Sequence, residues 1–240
     1  MTPSTLSFPG LAAPRSHVFN ALVALCSGNK KKAATILGLG PKQLDLIDIN
    51  AQLATAPTAP AIEIYTGVLY DALDFSTLPA TAKKRASTRV AISSALFGLL
   101  RPGDLIPQYR LSADTTIPGL GPLGAAWRDS VQAELRATTG PILDVRSGAY
   151  VKLGPLPAET ADRGFVGRIL LEKAGKRSVV SHHNKATKGL LVREILGAPK
   201  APRSADDLPG FLEDLGFRVE VHQPKKPTDP RGLDIIVYTT

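Results

Sequence analysis

The chain has 240 residues, 43% of them hydrophobic and 21% charged, with a mean hydropathy of +0.02. That is globular composition and excludes disorder as the main state. The longest apolar stretch, Val90 to Leu100, is broken by Ser93, Ser94 and Gly98 and is too short to cross a bilayer. The start, MTPSTLSFPG, offers no basic and then apolar secretory signal.

A single cysteine, Cys26, excludes a disulfide framework and a multi-cysteine zinc site. The expectation is a reduced, cytoplasmic protein. Lys and Arg number 29 against 21 acids, a net charge of +8, and the excess is even: 11 basic and 7 acidic residues up to Leu120, 18 and 14 beyond it. It therefore belongs to the folded body and suits an anionic partner such as nucleic acid.

In chain order, Val18, Leu22, Val23, Leu25 and Cys26 predict one apolar helical stripe, and Ala33, Ala34, Ile36 and Leu37 a second. Gly38-Leu39-Gly40-Pro41 separates the second from a third helix carrying Leu44, Leu46, Ile47 and Leu53. TAPTAP, Thr55 to Pro60, reads as a linker. From Ile62 the pattern turns mixed. Strands are predicted at Val90–Ser94, Ile142–Val145, Gly167–Leu171, Ser178–His182, Arg218–Val221 and Leu233–Tyr238. Helices are predicted at Thr81–Ala86, Leu123–Thr138, Lys185–Leu196 and Ala205–Leu215. Glu172 to Arg177 forms the basic tip of a hairpin. The fold class expected is α+β: a helical N-terminal part, 1–54, packed on the mixed sheet of a 62–240 body in one compact domain.

Three strings bear on chemistry. In the first, Gly38 and Gly40 with Lys42 form an apolar–Gly–apolar–Gly turn like that of helix-hairpin-helix modules, where backbone N–H groups approach a DNA phosphate. An ordinary glycine C-cap followed by proline satisfies the same string. The second runs from Ser93 to Leu111. Arg101 and Arg110 can each grip an anion in bidentate fashion, with Asp104 orienting one of them or simply bracing the loop.

The third string follows His182 and His183, with Asn184 as a candidate N-cap. At about 100° per residue, Lys185, Lys188 and Arg193 share one side of the helix, with Gly189 among them. A cation-lined groove is expected there, partly buried because Val192 and Leu196 intrude, with Lys185, Lys188, Gly189 and Arg193 as DNA-binding residues. No metal site is expected: adjacent histidines on a strand point apart, and only His17 and His222 remain. No phosphate loop or dinucleotide fingerprint is present, so no cofactor is expected. Ser147 lacks the first glycine of a nucleophile elbow. Cys26 reads as core.

Several co-linear strings resemble one family. Tyr65-Thr66-Gly67-Val68-Leu69-Tyr70, then Ser94-Ala95-Leu96-Phe97-Gly98-Leu99-Leu100-Arg101-Pro102-x-Asp104, then Tyr109-Arg110-Leu111 resemble the peroxide-stress protein family YaaA. So do Trp127-Arg128, the Asp144 to Tyr150 segment with Ser147, and Lys185-x-x-Lys188-Gly189-x-x-x-Arg193. The resemblance implies a cytosolic oxidative-stress protein with a basic cleft and DNA as partner, bound through a helix-hairpin-helix-like element. Tyr65, Tyr70, Ser94, Arg101, Asp104, Tyr109, Arg110, Ser147 and Tyr150 would line that cleft. No established catalytic activity comes with it.

Departures accompany the match. Ser112 stands where the family usually has Glu, and Asp144-Val145-Arg146-Ser147-Gly148-Ala149-Tyr150 replaces an Asn-Leu-Ala-Ser-x-Glu-Tyr pattern. Two carboxylates are thus absent and an arginine gained. The string with which members begin is also not found, which implies a divergent or N-terminally short member. The alternative function is an enzyme acting on a nucleoside, nucleobase or phosphorylated small molecule, with Lys185 or Lys188 as nucleophile or anion clamp. A buried lysine of lowered pKa favours that alternative, and a solvated one favours DNA. The plainest option is a scaffold whose polar strings form internal ion pairs.

Overall fold

The structure is a computed structural model that describes residues 5–173, 176–178 and 181–238, the side chains at 181–183 and 238 excepted. In chain order it runs α1 (Ala12–Ser27), α2 (Lys30–Leu37), α3 (Asp45–Ala51), β1 (Thr58–Pro60), α4 (Ala61–Ile64), α5 (Val68–Leu73) and α6 (Ala80–Arg89). Next come β2 (Ile92–Ser94), β3 (Gly98–Leu100), β4 (Leu105–Pro107), β5 (Thr116–Ile117), β6 (Gly121–Pro122) and α7 (Leu123–Ala137). It continues with β7 (Ile142–Asp144), α8 (Gly148–Val151), β8 (Gly164–Lys173), β9 (Lys176–Ser178), α9 (Ser181–Gly197), α10 (Leu208–Asp214), β10 (Arg218–His222) and β11 (Arg231–Tyr238). The fold is α+β with mixed pairing, as expected.

Contacts divide the chain into two compact units, each assembled from three stretches: 1–64, 90–134 and 146–155 in unit one, 65–89, 135–145 and 156–240 in unit two. In unit one, Val18, Phe19, Leu22 and Cys26 bury the α1 stripe, with Ala33 and Leu37 of α2 and Ile47 of α3 also buried. The strands of this unit form two-stranded ladders, β1 with β4, β2 with β3, and β5 with β6. Half of the expected TAPTAP linker is therefore strand: Thr58, Ala59 and Pro60 pair with Pro107, Ile106 and Leu105. A ladder of two strands leaves one side of each unbonded, where a proline sacrifices no N–H···O bond.

The α1 stripe carries one residue the pattern left out. Arg15, three positions before Val18, is fully buried. It donates from Nε to Phe97 O (2.9 Å) and from Nη2 to Leu99 O (2.7 Å) and Ser7 O, holding the N-terminal segment on the β3 region. Burial lowers its pKa to about 10, against the fields of Asp104 and Glu134, so it stays charged at neutral pH.

Unit two holds a mixed sheet in the order β10-β11-β8-β7, with β9 folded back on β8. The pairs β7–β8 and β8–β11 are parallel; β10–β11 and β8–β9 are antiparallel. Period-two alternation in β8 sends Phe165 and Ile169 into a core with Leu233 and Ile235 of β11, Leu191 of α9, and Leu208 and Leu212 of α10. The expected hairpin is present, Glu172 opposite Arg177 and Lys173 opposite Lys176; its tip at 174–175 lies outside the described residues.

The strand expected over Ser178–His182 is corrected. Pairing ends at Ser178 opposite Leu171, 179–180 lie outside the described residues, and α9 has begun by Ser181. His182 and His183 are thus helical, and Asn184 lies inside the helix instead of capping it.

On the sheet face that alternates with this core, Arg168 donates twice to Asp234 (2.7 and 2.6 Å) and His222 Nε2 lies 2.8 Å from the same carboxylate. Burial pushes the Asp234 carboxyl up, but the hydrogen bonds from Arg168 and then His222 outweigh it and hold it below its ordinary value. A depressed carboxyl contributes stability above its unfolded pKa of about 3.9 and loses it as pH falls through the folded value. Unit two is therefore expected to weaken below about pH 4, and Asp234→Asn to be less stable at pH 7 yet flatter in acid. Urea midpoints from pH 7 to pH 3 test this; parallel curves for the two proteins would refute it.

Candidate functional site

The glycine hairpin of unit one is built as its residues dictate. Asn29 caps α2, its side chain accepting from Lys32 N at 3.0 Å. Gly38 takes the left-handed conformation (φ 63°, ψ 37°) that ends a helix and favours glycine. Gly40 is extended (φ −77°, ψ 169°), and its N–H donates to Gln43 Oε1 at 3.2 Å. Pro41 then opens a short 3-10 turn, Pro41–Gln43, leading to α3. Residues 41–45 are exposed, including Leu44 at 46%. Lys30 is tied to Asp48 at 2.6 Å, whereas Lys42 makes no ion pair among the described residues.

The Ser93–Leu111 string is largely self-bracing. Ser94 is fully buried; its Oγ accepts from Phe97 N (3.0 Å) and lies 2.8 Å from the Tyr109 hydroxyl, whose ring meets Phe97 edge-on. Arg101 donates to Val90 O at 2.8 Å and stacks over the Phe8 ring. Asp104 accepts from the Arg101 backbone N–H at 2.8 Å and from both Ser7 N and Oγ, so its carboxylate orients main chain. Arg110 has its backbone clamped on both sides by buried Asn50 while the residue itself is exposed. The positive field of Arg110 reaches Tyr150, whose hydroxyl burial pushes up in pKa and Arg110 draws back. Ser147 is exposed at the start of α8, with no capping bond from its side chain.

Unit two receives the remaining site residues. Tyr65 and Tyr70 stack with centroids 5.6 Å apart. On α9, Lys185 is exposed, but its neighbours on that side are occupied. Gly189 admits a helix: a Cβ there would lie 2.8 Å from Leu73 N and 2.9 Å from Ala72 Cβ of α5. Arg193 donates to Leu73 O (2.9 Å), Asp74 O (2.8 Å) and Thr77 Oγ1 (2.9 Å), taking the carbonyls that α5 leaves unbonded at its end.

Lys188 is only 9% exposed and forms no hydrogen bond or ion pair within 4 Å among the described residues. Burial lowers its pKa, opposed by the field of Asp144, itself 7% exposed. One turn before it, the buried Asn184 Oδ1 has no partner among the described residues. Sequence reasoning weighed Lys188 but missed Asn184 as its companion, because the strand expected over Ser178–His182 put Asn184 at the helix boundary.

Unit one also contains an open cavity of about 470 Å³ lined by Asp114, Thr115, Leu123, Arg128, Asp129 and Lys152 among others. No site residue read from the sequence lines it; the signal was Arg128 in the Trp127-Arg128 string.

A family model described as peroxide stress protein YaaA matches residues 3–223. The chain belongs to the YaaA family. It is 44% identical over 236 residues to the UPF0246 protein SCO2297 of Streptomyces coelicolor, covering 98% of this chain and 90% of that one. It is 37% identical over 228 residues to the UPF0246 protein CE1889 of Corynebacterium efficiens, covering 93% and 89%. A Ruegeria UPF0246 protein is 32% identical over 178 residues, 70% of each chain.

Membership in a peroxide-stress family directs attention to thiols. Cys26 is buried at 2% exposure, and burial pushes its pKa up despite a hydrogen bond with Asn50. A sealed, protonated thiol is a poor peroxide reductant, so Cys26 serves this YaaA family member as core. No described helix is long and apolar enough to cross a membrane.

Proposed function

We propose that this YaaA family member acts in peroxide stress by binding duplex DNA, using the exposed glycine hairpin between α2 and α3 as a helix-hairpin-helix-like element. The observation that carries this reading is the hairpin itself: Gly38 left-handed and exposed, Gly40 extended, Lys42 exposed with no ion pair among the described residues. The tyrosines and arginines read as cleft lining fall in both units, so the proposed contacts stay within unit one, at Gly38, Gly40 and Lys42. Lys188 is buried, Gly189 and Arg193 are taken up by α5 and the turn after it, and none of the three is assigned to phosphate.

The geometry makes a clean variant available. Gly40 has a negative φ, and a Cβ there would meet only Gln43 Oε1 at 3.9 Å. Gly40→Val is therefore expected to fold normally while obstructing close approach of a phosphate. In a fluorescence-polarisation titration of duplex DNA against salt, Lys42→Ala is expected to flatten the log–log slope by about 0.9, one phosphate contact, and Lys188→Ala to leave it unchanged. Wild-type affinity in Gly40→Val, or binding indifferent to salt, would sink the proposal.

A second reading, an enzyme acting on a nucleoside, nucleobase or phosphorylated small molecule, is favoured by one observation. Lys188 is the buried amine of lowered pKa that such chemistry requires, where a phosphate-binding lysine is solvated.

A further inference from the structure

We propose that Lys188 is an imine-forming lysine that condenses with a small aldehyde, a substrate class that rests on the enzyme reading above and is independent of the DNA hairpin. Three observations meet at this point of α9. First, the amine is nine-tenths buried and has no hydrogen-bond or ion-pair partner among the described residues, an arrangement unfavourable for a permanent ammonium. Second, it is not sealed. The enclosed, unpartnered side-chain atoms among the described residues are Ser93 Oγ and Asn184 Oδ1, so Lys188 Nζ, equally unpartnered, keeps an opening to solvent. Third, Asn184 lies four residues earlier on the same helix face, and its enclosed Oδ1 is an acceptor lacking a donor.

These parts fit one reaction. The neutral amine, favoured by burial, attacks the carbonyl carbon; the C=O π pair moves to oxygen, and proton transfer from nitrogen to oxygen gives a carbinolamine. The hydroxyl leaves as water with one added proton, and the nitrogen lone pair forms the C=N bond. The resulting iminium carries the positive charge that Asp144, whose field already reaches Lys188, is placed to balance. Asn184 Oδ1, one turn away, is an acceptor for the N–H of the intermediate. With nine-tenths of Lys188 buried, the partner is restricted to a small, unhindered carbonyl compound.

Glyoxylate with sodium cyanoborohydride is the probe, applied to the full chain at pH 7 and read by peptide mass spectrometry. The reductant adds hydride to the imine and fixes it as a secondary amine. Expected is labelling of Lys188 several times faster than the exposed Lys42 and Lys185 in the same sample, and loss of that site in Lys188→Met. Asn184→Ala is expected to slow labelling of Lys188 without changing that of Lys42. A parallel reaction with acetic anhydride separates the two ideas. Fast acylation of Lys188 without glyoxylate labelling overturns the aldehyde assignment and leaves a nucleophilic lysine, whereas slow reaction with both reagents overturns the enzyme reading as well.

Discussion

Gly189→Ala is expected to destabilise unit two by about 3 kcal/mol, the upper range for one methyl forced into a packed interior. The added Cβ would sit 2.8 Å from Leu73 N and 2.9 Å from Ala72 Cβ, and nearer still to the Leu69 carbonyl oxygen. Two of these three atoms are main chain, so no side chain can swing aside. The helices would have to separate, and Arg193 would then lose its hold on Leu73 O and Asp74 O. Gly197, in the last turn of α9, has nothing within 4 Å of a built Cβ, so Gly197→Ala is the matched control. Differential scanning calorimetry should show a fall of about 2–4 °C per kcal/mol for Gly189→Ala and no fall for the control. Equal melting of Gly189→Ala and wild type would mean that the α5–α9 crossing is looser than described.

Arg15→Met is expected to cost unit one about 3–5 kcal/mol, the range for removing one partner from a buried charged network. Methionine fills much of the volume but donates nothing, leaving the carbonyls of Phe97, Leu99 and Ser7 enclosed without their N–H partners. Arg15→Lys keeps a charge but offers one ammonium in place of a fork, and should fall between methionine and wild type. Urea unfolding followed by Trp127 fluorescence reads this unit, because Trp127 is fully buried there and donates to Ala95 O at 2.9 Å. A loss under about 1 kcal/mol for Arg15→Met would show that water replaces the guanidinium.

The contrast between Arg15 and Lys188 shows what could be read from the chain. Apolar periodicity located α1, α2 and α7 and the main strands of unit two, because burial of one face leaves a regular trace. Short ladders such as β2–β3 and β5–β6 left none, since two or three residues cannot establish a period. Arg15 sat in register with Val18, Leu22 and Cys26, yet an arginine in an apolar stripe reads as an interruption until its carbonyl partners are known. Lys188 showed the reverse. Its helical sector was legible, but three cations on one side say nothing about which faces solvent, which braces α5 and which is enclosed. Gly189 was placed among these cations, and only the fold shows that α5 packs against it.

The alternation of three stretches per unit governs how the protein is born. A ribosome delivers the last stretch of unit one, 146–155, only after 65–89 and 135–145 of unit two have emerged. The α5 segment must then wait for its partner: α9 begins more than a hundred residues after Leu73, about 5–20 s of synthesis at roughly 5–20 residues per second. During that interval the groove that Gly189 will fill is open, and unit one can consolidate first. Dividing the gene at any single point would split at least one unit, so the two half-products could not each fold a complete unit.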